Sequence, residues 1–381
     1  MRVLYIVFRD FKNPSSVGGD YYLWELARGL SQLGNKVTLL CGGFEGSKQH
    51  EILDGVEVVR IKGTWSLPLR FFNEYMKRMK GIFDIVVEEA MGGQRFPFLC
   101  TAYVKEPLVA VWHQRHYKIF HEEYPLPIAF LLSWLELLQA RLYRNRTVIT
   151  PSKGAKEKLA LLGFKSDRVK VVYDGVESTF CSAETHQNRD DIIVCLGKLR
   201  KYKRADHAIL AFAYALKNIK PTYRLIVAGK MSEIDRGYVE KLRGIAKSIG
   251  VQNKVEFRLN ISESEKRKLL EAARLLIQPS PVEGFSIVVV EANRCGTPVV
   301  ASDGVPSDVV MNGYNGLVYS YGDLQALASK TVELLNDPVL WERMSKNASE
   351  WSQQFTWEKS ILEFEQILKN GAYKEDVKLS R

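Results

Sequence analysis

Short apolar runs rich in β-branched residues alternate along this chain with longer segments of helical period. A chain with that rhythm has few ways to bury its apolar surface. Each run becomes a strand and each periodic segment a crossover helix, so the strands lie parallel with helices on both faces. The runs fall into two series. The first is Val3 to Phe8, Lys36 to Cys41, Asp84 to Val87, Leu108 to Trp112, Thr147 to Thr150 and Val169 to Tyr173. The second is Ile192 to Leu196, Tyr223 to Ala228, Lys254 to Arg258, Leu275 to Gln278, Pro298 to Ala301 and Gly316 to Tyr319. Between them Glu177 to Asp191 is polar and aperiodic, which reads as an interdomain linker. The expected architecture is α/β, with two doubly wound parallel-sheet domains at residues 1–177 and 178–355 facing across a cleft. Residues 356–381 form a C-terminal helix and tail, of which Lys369 to Arg381 reads as a loose end.

Several classes of protein are excluded early. The longest apolar stretch, Leu126 to Leu135, is broken by Pro127 and Ser133 and is about half the ~20 residues a membrane span needs. The first ten residues, MRVLYIVFRD, read as a buried strand and not as a signal peptide, so a cytoplasmic location is expected. Cys41, Cys100, Cys181, Cys195 and Cys295 are odd in number, dispersed and never in a C-x-x-C pair, which predicts reduced thiols and no zinc site. The formal charge is +10, and residues 1–175 hold 25 Lys and Arg against 18 Asp and Glu. An anionic partner is expected on that half. No basic cluster with interleaved aromatics lies on one element, so nucleic acid is not expected.

Open α/β sheets bind ligands at the carboxyl ends of their strands, and three segments that follow strands carry chemistry. Gly18-Gly19 precede an amphipathic helix; such a pair lets an anion approach backbone N–H groups at a helix N-terminus, and is otherwise an ordinary tight turn. The segment is not G-x-G-x-x-G, which argues against a nicotinamide dehydrogenase. After Ile192 to Gly197 comes KLRKYKR, where Lys198, Arg200, Lys201, Lys203 and Arg204 should repel one another unless something anionic neutralises them. A solvated basic loop is the competing reading. Finally, QPSPVEGFSIVVVEANRCGTPVVAS (278–302) places Glu283 on a turn, a helix from near Ser286 to Cys295, and Glu291 behind the apolar run Ile287 to Val290. A charge in that position is costly unless bound. Two carboxylates eight residues apart, with a helix N-terminus between them, suit the two ends of a nucleotide-sugar.

The last segment resembles the E-x7-E signature of family 4 glycosyltransferases, retaining enzymes of the GT-B fold, and GKLRKYKR resembles their diphosphate loop. SSVGGDYYLWELARGLSQLGNKVTLL, VITPSKGAKEKLALLG, VVYDGVESTF, SDGVPSDVVMNGYNGLVY and FTWEKSILEFEQIL are similar to further family segments in the family's order, from about Met1 to Leu368. The resemblance implies two Rossmann-like domains and a C-terminal helix crossing back to the first. By it, Lys203 holds the donor diphosphate, with Lys198 standing where the family has arginine. Glu283 contacts the donor sugar beside the reacting carbon, and Glu291 holds the ribose. Gly284, Phe285 and Ser286 match a G-F-G stretch that faces sugar and phosphate; Ser286 and Arg204 each replace a glycine. Gly18 and Gly19 form the glycine loop. A family histidine that faces the donor sugar matches His113, at the strand end, in preference to His116.

The implied activity is retaining hexosyl transfer from a nucleoside-diphosphate sugar to an acceptor hydroxyl. Glu283, His113 and Lys203 are the catalytic set, and no metal or other cofactor is expected, in keeping with the lack of a D-x-D sequence. The expected partners are a UDP-, GDP- or ADP-sugar donor, a carbohydrate or lipid-linked acceptor, and an anionic membrane surface. The last is suggested by Leu67 to Lys80 and Pro125 to Arg146, which mix large apolar residues with Arg and Lys as a peripheral interfacial helix does. The alternatives are a GT-B-fold nucleotide-sugar epimerase and a catalytically silent nucleotide-sugar-binding protein.

Overall fold

Burial on both faces makes strands of the apolar runs, and the strands assemble into two separate sheets. The structure is a computed structural model that describes residues 1–63, 66–90, 97–181 and 189–379. Along the first part of the chain lie β1 (Arg2–Ile6), α1 (Gly18–Gln32), β2 (Lys36–Gly42), β3 (His50–Leu53), β4 (Val56–Ile61), α2 (Leu67–Glu74), β5 (Ile85–Glu89) and β6 (Leu108–Val111). Then come α3 (Tyr117–Glu123), α4 (Leu126–Tyr143), β7 (Thr147–Thr150), α5 (Lys153–Ala160) and β8 (Val169–Val171). The remainder holds β9 (Ile192–Leu196), α6 (Ala205–Ala215), β10 (Arg224–Gly229), α7 (Arg236–Ser248), β11 (Val255–Leu259), α8 (Glu263–Ala272) and β12 (Leu275–Gln278). It ends with α9 (Ile287–Arg294), β13 (Val299–Ser302), β14 (Gly316–Tyr319), α10 (Leu324–Asn336), α11 (Pro338–Ser352) and α12 (Trp357–Leu379).

One unit comprises Met1–His116, Phe130–Gly175 and the chain from Trp357 onward. Its sheet runs β3-β4-β2-β1-β5-β6-β7-β8, so the strand order reverses between β1 and β5. Tyr5, Leu23, Leu26, Leu39 and Val87 are at most 1% exposed in its core. Two strands escape the sequence reading. β3 and β4 form an antiparallel hairpin that turns at Asp54-Gly55, both with positive φ (48° and 82°), so this sheet is parallel except at its edge. An Asp-Gly pair between alternating residues is the local signal for such a turn.

The C-terminal helix α12 belongs to the same unit. Trp357, Phe364 and Leu368 are buried in its core, and Asn35 donates to Glu365 at 2.9 Å. The loose tail expected from Lys369 is instead a continuation of α12 to Leu379, since no proline interrupts the segment.

The other unit comprises Tyr117–Ala129 and Val176–Thr356. Its sheet is wholly parallel, in the order β11-β10-β9-β12-β13-β14. Renumbered from β9, that is the 3-2-1-4-5-6 order of doubly wound nucleotide-binding sheets, with its switch point between β9 and β12. Tyr117–Ala129, placed by sequence in residues 1–177, groups with this unit because α3 is tied to it. Lys118 donates to the Pro281 carbonyl (3.3 Å), Tyr202 N–H donates to Glu123 (3.1 Å), and Arg204 pairs with Glu122 (3.4 Å). Of the linker expected at Glu177 to Asp191, residues 182–188 lie outside the described residues.

The thiols are a further correction. Cys181 and Cys295 form a disulfide (Cα–Cα 5.2 Å), while Cys41, Cys100 and Cys195 are free and buried. The two partners lie 114 residues apart, so nothing local in the sequence pairs them.

Candidate functional site

The switch point of the second sheet collects the two most chemically loaded segments, because β9 and β12 are adjacent parallel strands and both segments leave from their carboxyl ends. After β9 the chain passes Gly197 and Lys198, makes a 3-10 turn over Lys201–Lys203, and enters α6 through Arg204. Gly229, at the end of β10, has φ 142°, and a Cβ there would overlap the Gly197 carbonyl. Only glycine lets these two strand ends approach so closely. After β12 the chain turns through Pro279 to Phe285 and enters α9 at Ser286.

The turn brings Lys203 and Glu283 together. Lys203 Nζ donates to Glu283 Oε1 at 2.6 Å, and Gln278 Nε2 donates to the same oxygen at 2.9 Å. Glu283 is 6% exposed, and its backbone N–H is tied to the Gly304 carbonyl. Burial works against the Lys203 ammonium, but the Glu283 carboxylate outweighs it and holds the lysine above its ordinary pKa.

Much of the charge in KLRKYKR is neutralised within the protein. Arg200 pairs with Asp235 (3.2 Å), Lys203 with Glu283, and Arg204 with both Asp206 (3.0 Å) and Glu122 (3.4 Å). The crowding of cations is thus not by itself a sign of a bound diphosphate. Arg204 adopts the left-handed conformation (φ 54°, ψ 44°) that favours glycine, held there by its carboxylates and by Tyr321 Oη at 2.9 Å. Lys198 is half-buried.

Ser286 is also left-handed (φ 80°, ψ 71°) at the N-cap of α9, and makes no side-chain cap. Gly284 and Phe285 are buried just before it, with the Phe285 ring edge-on to Phe355 at 5.4 Å. The helix itself is clamped. Arg294 donates to Gln353 and to the Ser352 and Phe355 carbonyls, and buried Asn293 accepts from Asn315 at 2.9 Å. Glu291, 7% exposed, is met by Lys266 of α8, whose Nζ lies 2.6 Å from Oε1. Burial pushes the Glu291 carboxyl up, against the lowering pull of that ammonium. The charge that the sequence marked as needing a partner has one, and the partner is not Lys203.

In the other unit, Gly18 and Gly19 open α1. Asp20 accepts the Val17 N–H at 2.7 Å and fixes the turn. A Cβ on Gly19 would lie 2.9 Å from His113 Nε2, so this glycine admits the histidine ring to the start of the helix. His113 follows β6 and stands edge-on to Tyr22 at 5.6 Å. Its buried Nε2 has no hydrogen-bond partner, and burial with His116 nearby lowers its pKa to about 4, leaving the ring neutral near pH 7. His116 is instead engaged by Glu136, which accepts from its backbone N–H (2.8 Å) and meets Nδ1 (3.0 Å).

Sequence reasoning missed Gln278 and Lys266. A polar residue ending the buried strand β12 marks the first. Lys266 sits in the charged stretch ESEKRK and carries no mark.

Comparison with known proteins adds the lineage. Residues 178–351 match the family described as Glycosyl transferases group 1, and residues 17–180 match Glycosyltransferase Family 4. Among curated proteins, a D-inositol 3-phosphate glycosyltransferase of Acidothermus cellulolyticus is 29% identical over 230 residues, 57% of this chain and 51% of that protein. The match therefore spans about half of that relative's length. An uncharacterized glycosyltransferase of Methanocaldococcus jannaschii is 25% identical over 378 residues, 91% of this chain and 92% of its own. Among solved structures, sucrose-phosphate synthase of Thermosynechococcus elongatus shares the fold at TM-score 0.80 and 17% identity, covering 97% of this chain and 99% of that one. Anabaena HepE in complex with UDP-glucose does so at TM-score 0.76 and 19% identity, covering 97% and 100%.

Proposed function

Because the chain belongs to the glycosyltransferases of group 1 and family 4, with the two matches together taking in residues 17–351, we propose that it transfers a hexose from a nucleoside-diphosphate sugar to an acceptor hydroxyl with retention at the reacting carbon. The observation that carries this reading is the pair of half-buried Lys203 with buried Glu283 at the switch point of the second sheet. A ligand with an anionic diphosphate and a hydroxyl-bearing sugar satisfies both members at once: the ammonium turns to phosphate oxygen and the carboxylate accepts from a sugar hydroxyl.

Lys203 and Lys198 neutralise the charge that develops on the departing diphosphate, and the backbone at Gly284 to Ser286, entering α9, faces it. This assignment needs no metal ion. The bond between the anomeric carbon and the diphosphate oxygen breaks, the acceptor oxygen bonds to the same face, and its proton passes to the leaving phosphate oxygen. Glu291 holds the ribose. Neutral His113, with Nε2 uncommitted, lies beside Gly19 to meet the donor sugar. UDP-glucose in the HepE structure supports a nucleotide-sugar donor.

The acceptor side is read from α4. Phe130, Leu131, Trp134, Leu137, Leu138 and Leu142 form one stripe along the helix and are 41–59% exposed, with exposed Arg141 and Arg144 beside them. Among the described residues no helix is long and apolar enough to cross a membrane. A solvent-facing apolar stripe flanked by arginines fits an anionic bilayer surface carrying a lipid-linked acceptor.

Incubation with UDP-, GDP- and ADP-glucose, followed by assay of released nucleoside diphosphate, tests the reading. Glu283→Ala should lower turnover by about 100-fold or more, with nucleotide affinity largely kept. Near-normal turnover would remove Glu283 from its role, and conversion of the sugar without an acceptor would mean an epimerase.

A further inference from the structure

The short helix α3 carries Glu122 and Glu123 in its last turn, where a carboxylate opposes the helix dipole and is unfavourable without a partner. Both find partners in the segment KLRKYKR. Glu123 accepts from the Tyr202 N–H at 3.1 Å, and Glu122 accepts from Arg204 Nη1 at 3.4 Å. Tyr321 Oη closes this corner, donating to Glu122 at 2.9 Å and accepting from Arg204 at 2.9 Å. The residues on either side of Lys203 are thus both held from α3. The start of the helix reaches the other loaded segment. Lys118, one turn before Glu122 and on the same helix face, donates from Nζ to the carbonyl of Pro281, which precedes Glu283 on its turn, at 3.3 Å. The same ammonium lies 5.9 Å from the centre of the Tyr321 ring. Ile119 and Phe120, 2% and 0% exposed, anchor the helix between these contacts.

Resting on the reading of Lys203 and Glu283 as the pair that meets the donor, we propose that α3 is a clamp on the loops bearing them, with Glu122 and Glu123 as positioning residues for Lys203. Lys118 ties the clamp to the Glu283 turn, so the lysine is placed relative to its carboxylate and not merely held still. Arg204 needs such a hold, because a residue other than glycine seldom rests at φ 54°, and it directly follows Lys203. Release of Arg204 or of the Tyr202 N–H lets the 3-10 turn over Lys201–Lys203 relax and draws Lys203 Nζ away from its 2.6 Å contact with Glu283. Neither glutamate touches the donor in this scheme. Each acts through the loop it holds, and a shift of about 1 Å at a reacting group lowers a rate by up to about 100-fold.

Turnover of UDP-, GDP- and ADP-glucose by the full-length protein, assayed as released nucleoside diphosphate, tests the clamp. Glu123→Ala should lower kcat/KM on the preferred donor by about tenfold, the scale of one hydrogen bond to a charged group. Glu123→Gln, whose amide oxygen still accepts from the Tyr202 N–H, should return it to within about threefold of wild type. Glu122→Ala serves as the second variant and should fall by a similar factor. In a Lys203→Ala background either Ala substitution should cost less than about threefold more, because the group it positions is gone. A merely structural role would lower activity by the same factor with or without Lys203. Wild-type kcat/KM in both Ala variants, failure of Glu123→Gln to restore it, or an undiminished loss in the Lys203→Ala background overturns the clamp and leaves the transferase reading in place. Absence of turnover by the wild type with all three donors overturns both.

Discussion

Ser286 shows how a single side chain can oppose the backbone it sits on. Its φ of 80° belongs to the region that favours glycine, and its hydroxyl makes no cap that would compensate. Ser286→Gly should therefore raise stability, by up to about 1 kcal/mol, read as a higher Tm. His113 predicts a pH effect. Its folded pKa near 4 lies below the ~6.5 of an unfolded histidine, so the unfolded chain binds more protons between those values. The contribution is fully present above about pH 6.5 and is lost as pH falls toward 4. Buried Glu88 and Glu89, raised to about 7 and 8, act with the opposite sign and lose stability as pH rises. The difference between proteins isolates the histidine: His113→Asn should lose less stability than wild type when acidified from pH 6.5 to 4, measured by denaturant titration. Glu283 and Glu291 were legible as paired charges because a carboxylate beside an apolar run must find a partner. Their partners Gln278 and Lys266 were not, since each reaches its carboxylate only through the fold.

Among the elements, α9 and α4 stand at opposite limits of legibility. The bounds of α9, Ile287–Arg294 between the caps Ser286 and Cys295, follow from a turn before it and Gly-Thr-Pro after it, and the helix forms between those stops. For α4, composition suggests an interfacial helix, but an apolar helix is equally consistent with a core position. Exposure rules out a core position for this face, with Trp134 at 58% and Leu131 at 54% facing solvent. If the stripe docks on a bilayer, Trp134→Glu should cut sedimentation with anionic vesicles by about tenfold, since burying one large apolar side chain contributes ~1.5–3 kcal/mol. Binding should also weaken with salt, because Arg141 and Arg144 supply the attraction. Unchanged pelleting of the variant would rule this face out. The β3–β4 hairpin was missed for another reason: the Asp-Gly turn is a clear signal, but βαβ counting looks past an antiparallel edge.

For the whole molecule, α12 is a piece of the first unit supplied from the far end of the chain. Ending the chain at Thr356 would take Trp357, Phe364 and Leu368 out of the first core, a loss of more than about 5 kcal/mol at the usual value per buried side chain. Such a protein should expose the first unit to limited proteolysis and leave the sheet of the second protected; equal protection of both would contradict this dependence. What the sequence alone determined was the alternation of strand and helix, the two sheets and the segments leaving their strand ends, because periodicity and turn chemistry act over a few residues. Which charges meet, that Cys181 bridges to Cys295, that α3 joins the second unit, and that His113 rather than His116 keeps an uncommitted ring were decided by tertiary structure. These are contacts between residues far apart in the chain, and no local pattern encodes a distance that only the packed sheets define.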